Sequence, residues 1–247
     1  MNMATKIIIL LWKLWFYLLT AILVILIGFL WVYPLSFFSK SFHIAYKGIR
    51  LWAILVFYGS GFRLKVERKD KLEKNKPHIF IANHTSIIDI MVMAIIHKNH
   101  PVVFVGKEEL ANIPIFGTIY KRICIVVNRK DIKSRTHVYT LAKERIMRSE
   151  NIVIFPEGGI PDDKSIVLDR FKDGAFTIAV ISGIPIVVYT IKGLKEMFPD
   201  KFWEGFPGKV LVRQLEIIDT DNLSLDDKVK IKRQAFDIMF NDLNLNS

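Results

Sequence analysis

The sequence predicts an α/β domain, a mainly parallel sheet flanked by helices, behind an N-terminal hydrophobic helical membrane anchor. Three observations predict it. From residue 63 onward, short apolar runs closed by turn residues alternate with longer helix-like segments, the pattern of strand–helix–strand units. Before that lies a stretch without any charge, Leu14 to Phe38. Finally, residues able to do chemistry follow the ends of apolar runs: His84 after Ala82, Arg129 after Val127 and Glu157 after Phe155. Open α/β sheets bind ligands at the carboxyl ends of their strands. The chain therefore divides into an anchoring segment, 1–62, and an α/β domain, 63–247.

Composition narrows the partners. The chain has 247 residues, 51% of them hydrophobic, and a formal net charge of +11. That is enough apolar material for one sizeable domain with an appendage, and the mean hydropathy is positive, as a membrane segment makes it. The basic excess suits anionic lipid or an acidic substrate. Basic patches interleaved with aromatics and zinc-ligand spacings are missing from the sequence, so nucleic acid is not an expected partner. The lone Cys124 lies in the apolar run Ile123–Val127 and reads as a buried thiol.

Taken in order, the 25 residues Leu14–Phe38 would span about 37 Å as a helix, more than the roughly 30 Å of a hydrocarbon core. Trp15, Tyr17, Trp31 and Tyr33 lie toward its ends, as interfacial residues do. The stretch exceeds a signal-peptide core, and no small-residue cleavage site follows it. A second apolar segment, Leu51–Phe62, is too short to span and suits an amphipathic or re-entrant helix. Crossing the bilayer once and lying in one leaflet as a hairpin both remain open. Strands are predicted at 64–68, 77–82, 102–105, 123–127, 152–155, 184–191 and 210–218, with a charged turn at 69–76. Helices are predicted after His84, over 134–148, over 171–182 with Gly183 as the stop, and over 224–243 behind a Ser224-x-x-Asp227 cap pattern.

The stretch Phe80–Asp89 carries the strongest chemical signal. His84 falls where a strand hands over to a helix capped by Thr85 or Ser86, with Asp89 in the first turn. An ideal helix turns about 500° over five residues, so the pair meets only if His84 lies in the turn. A carboxylate there would accept the Nδ1 proton and leave Nε2 as a general base. Taken alone, the pair equally describes a turn histidine and an aspartate favoured by a helix N-terminus. His43, His78, His97, His100 and His137 have no carboxylate in a comparable turn context. The sequence has no Gly-x-Ser-x-Gly elbow and no His/Cys cluster with metal-ligand spacing, so no metal is expected.

Four blocks then resemble the membrane-associated glycerolipid acyltransferases, most closely the lysophosphatidate acyltransferases. They are Asn83–Asp89; Lys107–Leu110 continuing through Ile113–Gly117 to Arg129; Phe155-Pro156-Glu157-Gly158 with Phe171–Phe176; and Gly183–Val187. The resemblance covers residues 77–190 and implies a glycerol-3-phosphate acyltransferase-like fold. It implies transfer of a fatty acyl group from acyl-CoA or acyl carrier protein to the sn-2 hydroxyl of lysophosphatidate, giving phosphatidate. Both donors are substrates, and no cofactor is implied. His84 would take the hydroxyl proton as it attacks the thioester, and Asp89 would fix the imidazole. Lys107 and Arg129 would bind the acceptor phosphate. Glu157 would hydrogen-bond an acceptor hydroxyl or order its loop, Gly158 would let backbone approach the substrate, and Pro185 would shape the site. The oxyanion would be held by backbone N–H groups near a turn. The partners implied are the lipid bilayer, a lysophospholipid and the acyl donor, with the active domain on the cytoplasmic side.

The chain departs from the family pattern in three places. Gly159-Ile160 stand where Thr-Arg often follow the third-block Glu-Gly, leaving Lys164 or Arg170 to replace the arginine. Val188 stands where a second proline is frequent, and Ile123-Cys124 where a glycine often precedes the run to Arg129. The first departure keeps a second acceptor in view, another lysophospholipid or an aminoacyl lysolipid. A thioesterase, with water as acceptor, and a non-catalytic membrane scaffold are the readings from other classes.

Overall fold

The computed structural model describes residues 2–73 and 76–245. Helix α1, Met3–Leu35, opens the chain. It is α-helical over Met3–Leu23 and π-helical over Val24–Val32. The helix starts earlier than the uncharged stretch because Lys13 is accommodated: its ammonium donates to Pro199 O (2.6 Å) and Lys201 O (2.7 Å). α2, Phe42–Gly59, is longer than the predicted segment and doubles back along α1. Small residues permit the close approach. A methyl group on Gly48 would lie 2.9 Å from Val32 Cγ2, and one on Gly59 2.8 Å from Leu19 Cδ2. Trp15, still half-exposed, also ties the two helices together, its indole N–H donating to Gly59 O at 2.9 Å.

The α/β part is a seven-stranded sheet of order β1-β7-β6-β2-β5-β3-β4. The strands are β1 (Arg63–Glu67), β2 (Ile79–Ala82), β3 (Val102–Lys107), β4 (Ile125–Val127), β5 (Asn151–Ile154), β6 (Ile186–Lys192) and β7 (Lys209–Ile218). Every pairing is parallel except β6 with β7. All four residues of β2 are buried, as are six of the seven in β6, which is why these strands read as unbroken apolar runs. The expected strand over 123–127 is shorter than predicted. Its first residue closes a helix, α4 (Phe116–Ile123), that the sequence reading missed. An apolar run of that length does not distinguish strand from helix end. Of the charged turn expected at 69–76, Lys74 and Asn75 lie outside the described residues.

The remaining helices are α3 (Asp89–Ile96), α5 (Ile132–Met147), α6 (Gly174–Ser182), α7 (Leu194–Met197) and α8 (Lys228–Asn244). Asp131 caps α5 by accepting from Lys133 N and Ser134 N, and Gly183 ends α6 at φ 60°. The Ser224–Asp227 capping box forms as predicted and opens a short turn that leads into α8. The N-terminal hairpin is fastened to the helix that carries Asp89. Tyr46 OH donates to Ala94 O (3.0 Å) and Arg50 Nε to Ile95 O (3.1 Å), while Arg68 Nη2 reaches Ile96 O (2.7 Å). Cations at these last carbonyls also complement the dipole of α3.

Candidate active site

The parallel register assembles the site. Ile81 pairs with Ile154, Val153 with Phe104, and Val105 with Ile125. The carboxyl ends of four neighbouring strands are therefore level, with Lys107 as the last residue of β3 and His84, Glu157 and Arg129 just beyond the ends of the other three. Residues from three of the four sequence blocks, far apart in the chain, become one row.

His84 occupies the turn after β2. Asn83 secures that turn: its amide donates to Ile191 O (2.9 Å) and its carbonyl accepts from Ile191 N (2.7 Å). His84 Nδ1 lies 3.0 Å from Asp89 Oδ2. The same oxygen accepts from Thr85 N (2.7 Å) and Ser86 N (2.8 Å). Asp89 is fully buried, whereas the His84 side chain keeps 14% exposure. An acceptor-only carboxylate assigns Nδ1 as the protonated nitrogen and leaves the Nε2 lone pair for substrate. The imidazole stacks on Phe155 at 4.2 Å between centroids. The predicted Thr85 or Ser86 cap is replaced. The helix begins at Asp89, whose side chain reaches back to collect both amides, while Ser86 Oγ donates to Phe198 O at 3.1 Å and accepts only a long bond from Ile88 N at 3.4 Å.

Glu157 is buried, and both its oxygens are committed to backbone. Oε1 accepts from His84 N (2.7 Å) and Oε2 from Asp169 N (2.9 Å). It ties the histidine turn to the loop before α6. The amides of 84, 85 and 86 are all held by carboxylates, so these three are not free as oxyanion donors. Burial pushes the Glu157 pKa up to about 7, against the pull of the two amides. A carboxyl raised in this way binds more protons folded than unfolded between its two pKa values. Its stabilising contribution is thus full below about 4.5 and falls away as pH rises through about 7. Glu157→Gln turns an NH₂ toward one of the two amides and should cost about 1–3 kcal/mol. A thermal melt checks this, and the variant should also lose the part of the pH dependence that Glu157 supplies across that window.

Lys107 and Arg129 converge on Gly159. A methyl group on Gly159 would lie 3.6 Å from Lys107 Nζ and 3.8 Å from Arg129 Nη1. Burial lowers the Arg129 pKa, against the influence of Glu109. Gly158 has φ 84°, and a methyl there would lie 3.3 Å from Lys172 Cγ and 3.9 Å from Arg129 Nη1. Gly158→Ala should therefore cost about 1–2 kcal/mol of stability, the penalty for a side chain in left-handed backbone, visible as a lowered melting temperature. Lys172 is a residue the sequence reading passed over. The available signal was its place in the third block, two residues before Gly174.

Of the two suggested replacements for the missing arginine, Lys164 lines a cavity of about 210 Å³ together with Thr85 and Glu157. It pairs with Glu204 at 2.7 Å, and Arg170 is exposed. Pro185 precedes β6 at its amino end, where its carbonyl accepts from Ile79 N (3.0 Å). That is the opposite end of the sheet from His84, so it does not shape the site. His97 is fully buried between Met93 O (2.8 Å) and Tyr189 OH (3.3 Å), and burial lowers its pKa to about 3. Burial likewise pushes the Cys124 thiol up to about 12. Among the described residues no group of His, Cys, Asp or Glu is arranged to hold a metal.

A cavity of about 620 Å³ adjoins this row. Arg129, Gly158 and Lys172 line its polar part, and Val105, Ile154, Phe171 and Ile178 its apolar part. Phe155, the ring under His84, is shared by the cavity wall. The arrangement offers one base with a fixed tautomer, converging cations, and room for an apolar chain.

Comparison with known proteins gives the family and the fold. The acyltransferase family model matches residues 63–192, more than half of the chain. The chain is 28% identical over 178 residues to 1-acyl-sn-glycerol-3-phosphate acyltransferase beta of Homo sapiens, covering 71% of this chain and 63% of that protein. It is 30% identical over 169 residues to the 1-acyl-sn-glycerol-3-phosphate acyltransferase of Saccharomyces cerevisiae, covering 67% and 55%. The chain spans less than two thirds of the length of these relatives. The crystal structure of the 1-acyl-sn-glycerophosphate acyltransferase from Thermotoga maritima shares the fold, with a TM-score of 0.78 at 24% identity over 97% of this chain and 96% of that one. The chain belongs to the acyltransferase family.

Proposed function

We propose that this chain acylates the sn-2 hydroxyl of lysophosphatidate, using acyl-CoA or acyl carrier protein as donor and releasing phosphatidate. The observation that carries the reading is the placement of the His84–Asp89 pair in one row with Lys107 and Arg129, beside an apolar cavity. A hydroxyl is a weak nucleophile, so His84 Nε2 takes its proton as the oxygen attacks the thioester carbonyl. Asp89 stabilises the imidazolium that forms. Collapse of the tetrahedral intermediate breaks the C–S bond, and the imidazolium returns the proton to the departing thiolate. The new ester stays with the lipid. No covalent enzyme intermediate is required. Lys107 and Arg129 hold the acceptor phosphate, one as a point charge and one as a fork.

The attachment we propose is to one leaflet, with the catalytic domain on the cytoplasmic side. α1 has a mean hydropathy of 2.5 over its most apolar window, only 6% of which is buried. Yet it touches the α/β part near both ends: Lys13 through the 199–201 carbonyls, and Tyr33 beneath the Arg122 guanidinium at 5.7 Å. Lys13 and Tyr33 lie several turns apart on one continuous helix, which supports α1 lying along the domain rather than projecting from it across a bilayer. Gly159 in place of the usual threonine keeps a second acceptor headgroup in view.

The test is thiol release by detergent-purified protein from long-chain acyl-CoA, or acylated carrier protein, with a panel of lysolipids. The expected result is release that requires both lysophosphatidate and His84. Release favouring another lysolipid would move the assignment to that acceptor. Release without any acceptor would make the protein a thioesterase and overturn the reading.

A further inference from the structure

The segment from Phe198 to Gly208 joins α7 to β7 and is held firmly from behind. Lys13 Nζ bonds the carbonyls of Pro199 and Lys201. Phe206 N donates to Met197 O at 2.9 Å. Gly205, at φ 124°, lies so close to its neighbours that a methyl group would stand 2.5 Å from Met197 O and 3.3 Å from Trp12 Cζ3. The Phe198 ring is buried 4.5 Å from that of Phe16. The front of this loop presents Phe202, Trp203 and Phe206, which are 49%, 52% and 53% exposed. Holding three aromatic side chains in water is unfavourable unless an apolar phase receives them.

Two observations identify that phase. The Phe202 ring lies 6.2 Å from Tyr17, which belongs with Leu14 and Leu18 to the exposed apolar stripe of α1. The loop therefore extends that stripe without a break. The carboxylate among the aromatics is neutralised, since Glu204 pairs with Lys164 (2.7 Å) and Lys201 (3.3 Å). Aromatic rings among paired charges and glycines suit the interfacial zone of a bilayer.

We infer that Phe202, Trp203 and Phe206 form a second membrane-contacting element, an aromatic foot resting in the headgroup region of a lipid bilayer beside α1. The inference rests on the proposed membrane attachment and adds an element to it. The foot is joined to the chemistry: Phe198 O accepts from Ser86 Oγ, and Ser86 N donates to Asp89 Oδ2. It therefore sets the height of His84 above the lipid from which the acceptor comes.

The test uses the full chain carrying Cys124→Ala and a nitrobenzoxadiazole label at one introduced cysteine, Trp203→Cys, Leu18→Cys or Lys143→Cys. The protein is reconstituted into phosphatidylcholine–phosphatidylglycerol vesicles with and without doxyl-labelled lipid. Labels at 203 and 18 should shift to the blue and be quenched by the doxyl groups, and the label at 143 should do neither. Quenching at 18 without quenching at 203 would overturn the foot and leave the attachment standing. Quenching at neither would overturn both. A shift at 203 that grows with protein concentration in lipid-free micelles would assign the face to a second copy of the chain and overturn the foot. In a companion assay, Phe202→Ser/Trp203→Ser/Phe206→Ser should lower turnover of vesicle-embedded acceptor by about tenfold or more, as three interfacial anchors are removed. Turnover in mixed micelles should stay within about twofold, the usual range for surface substitutions. Unchanged turnover on vesicles, or an equal loss in micelles, would overturn the inference.

Discussion

Under the proposed mechanism His84→Ala should lower the rate of acyl transfer by about 10²–10⁴-fold, the range over which a positioned general base contributes. Little else in the structure depends on the imidazole. It is partly exposed, it stacks on Phe155, and its single polar bond goes to an oxygen that keeps two backbone donors after the ring is gone. The variant should therefore fold, with a melting temperature close to that of the parent, and its loss should appear in kcat. Asp89→Asn tests a different quantity. The asparagine carbonyl can take the place of Oδ2 and accept from Thr85 N, Ser86 N and His84 Nδ1, so the geometry survives while the negative charge does not. Its rate should fall by about 10²–10³-fold, the scale on which preorganised electrostatic stabilisation acts. Near-parental activity in either variant, measured as thiol release under saturating substrate, would remove the dyad from the mechanism.

Lys107→Ala and Arg129→Ala should each raise KM for lysophosphatidate by roughly 10–100-fold, since a hydrogen bond to a charged group contributes about 1.5–3 kcal/mol. The two cations converge on Gly159; under the proposed reading they share one phosphate, and the double variant should depart from additivity. The readout that identifies this role is selectivity. An acceptor without a phosphate monoester gains nothing from the pair, so the variants should narrow the difference between lysophosphatidate and such an acceptor. A fall in kcat with KM unchanged would instead place these side chains against the transition state.

Much of this architecture was legible before any coordinates. Alternating apolar runs gave the α/β class and the mainly parallel sheet, because strands buried on both faces are apolar throughout, as β2 and β6 are. Position relative to run ends gave His84, Arg129 and Glu157 as candidates, because loops at the carboxyl ends of strands are where backbone leaves the core. The five-residue separation of His84 and Asp89 also required His84 to lie outside the helix, which is where it stands. Elements that depend on long-range contact were less visible. α4 is only eight residues long and its last residue, Ile123, reads as the start of an apolar run, and the charge on Lys13 obscured the true start of α1.

The sequence by itself determined the fold class, the apolar N-terminal segment and the identity of the candidate groups. These follow from hydrophobic period, turn chemistry and local spacing, all of which act within a few residues. Only the tertiary structure decided what those groups do to one another. Parallel register levels four strand ends and brings residues 84, 107, 129 and 157 into one row. Burial commits both oxygens of Glu157 to backbone amides, and parallel pairing puts Pro185 at the far end of the sheet. Lys172 joins the cations because Gly158 turns with positive φ beside it. Lys13 becomes a structural tie because two carbonyls nearly two hundred residues away replace its water. Each of these is set by which distant backbone groups remain unpaired after the sheet forms, and local pattern carries no record of that.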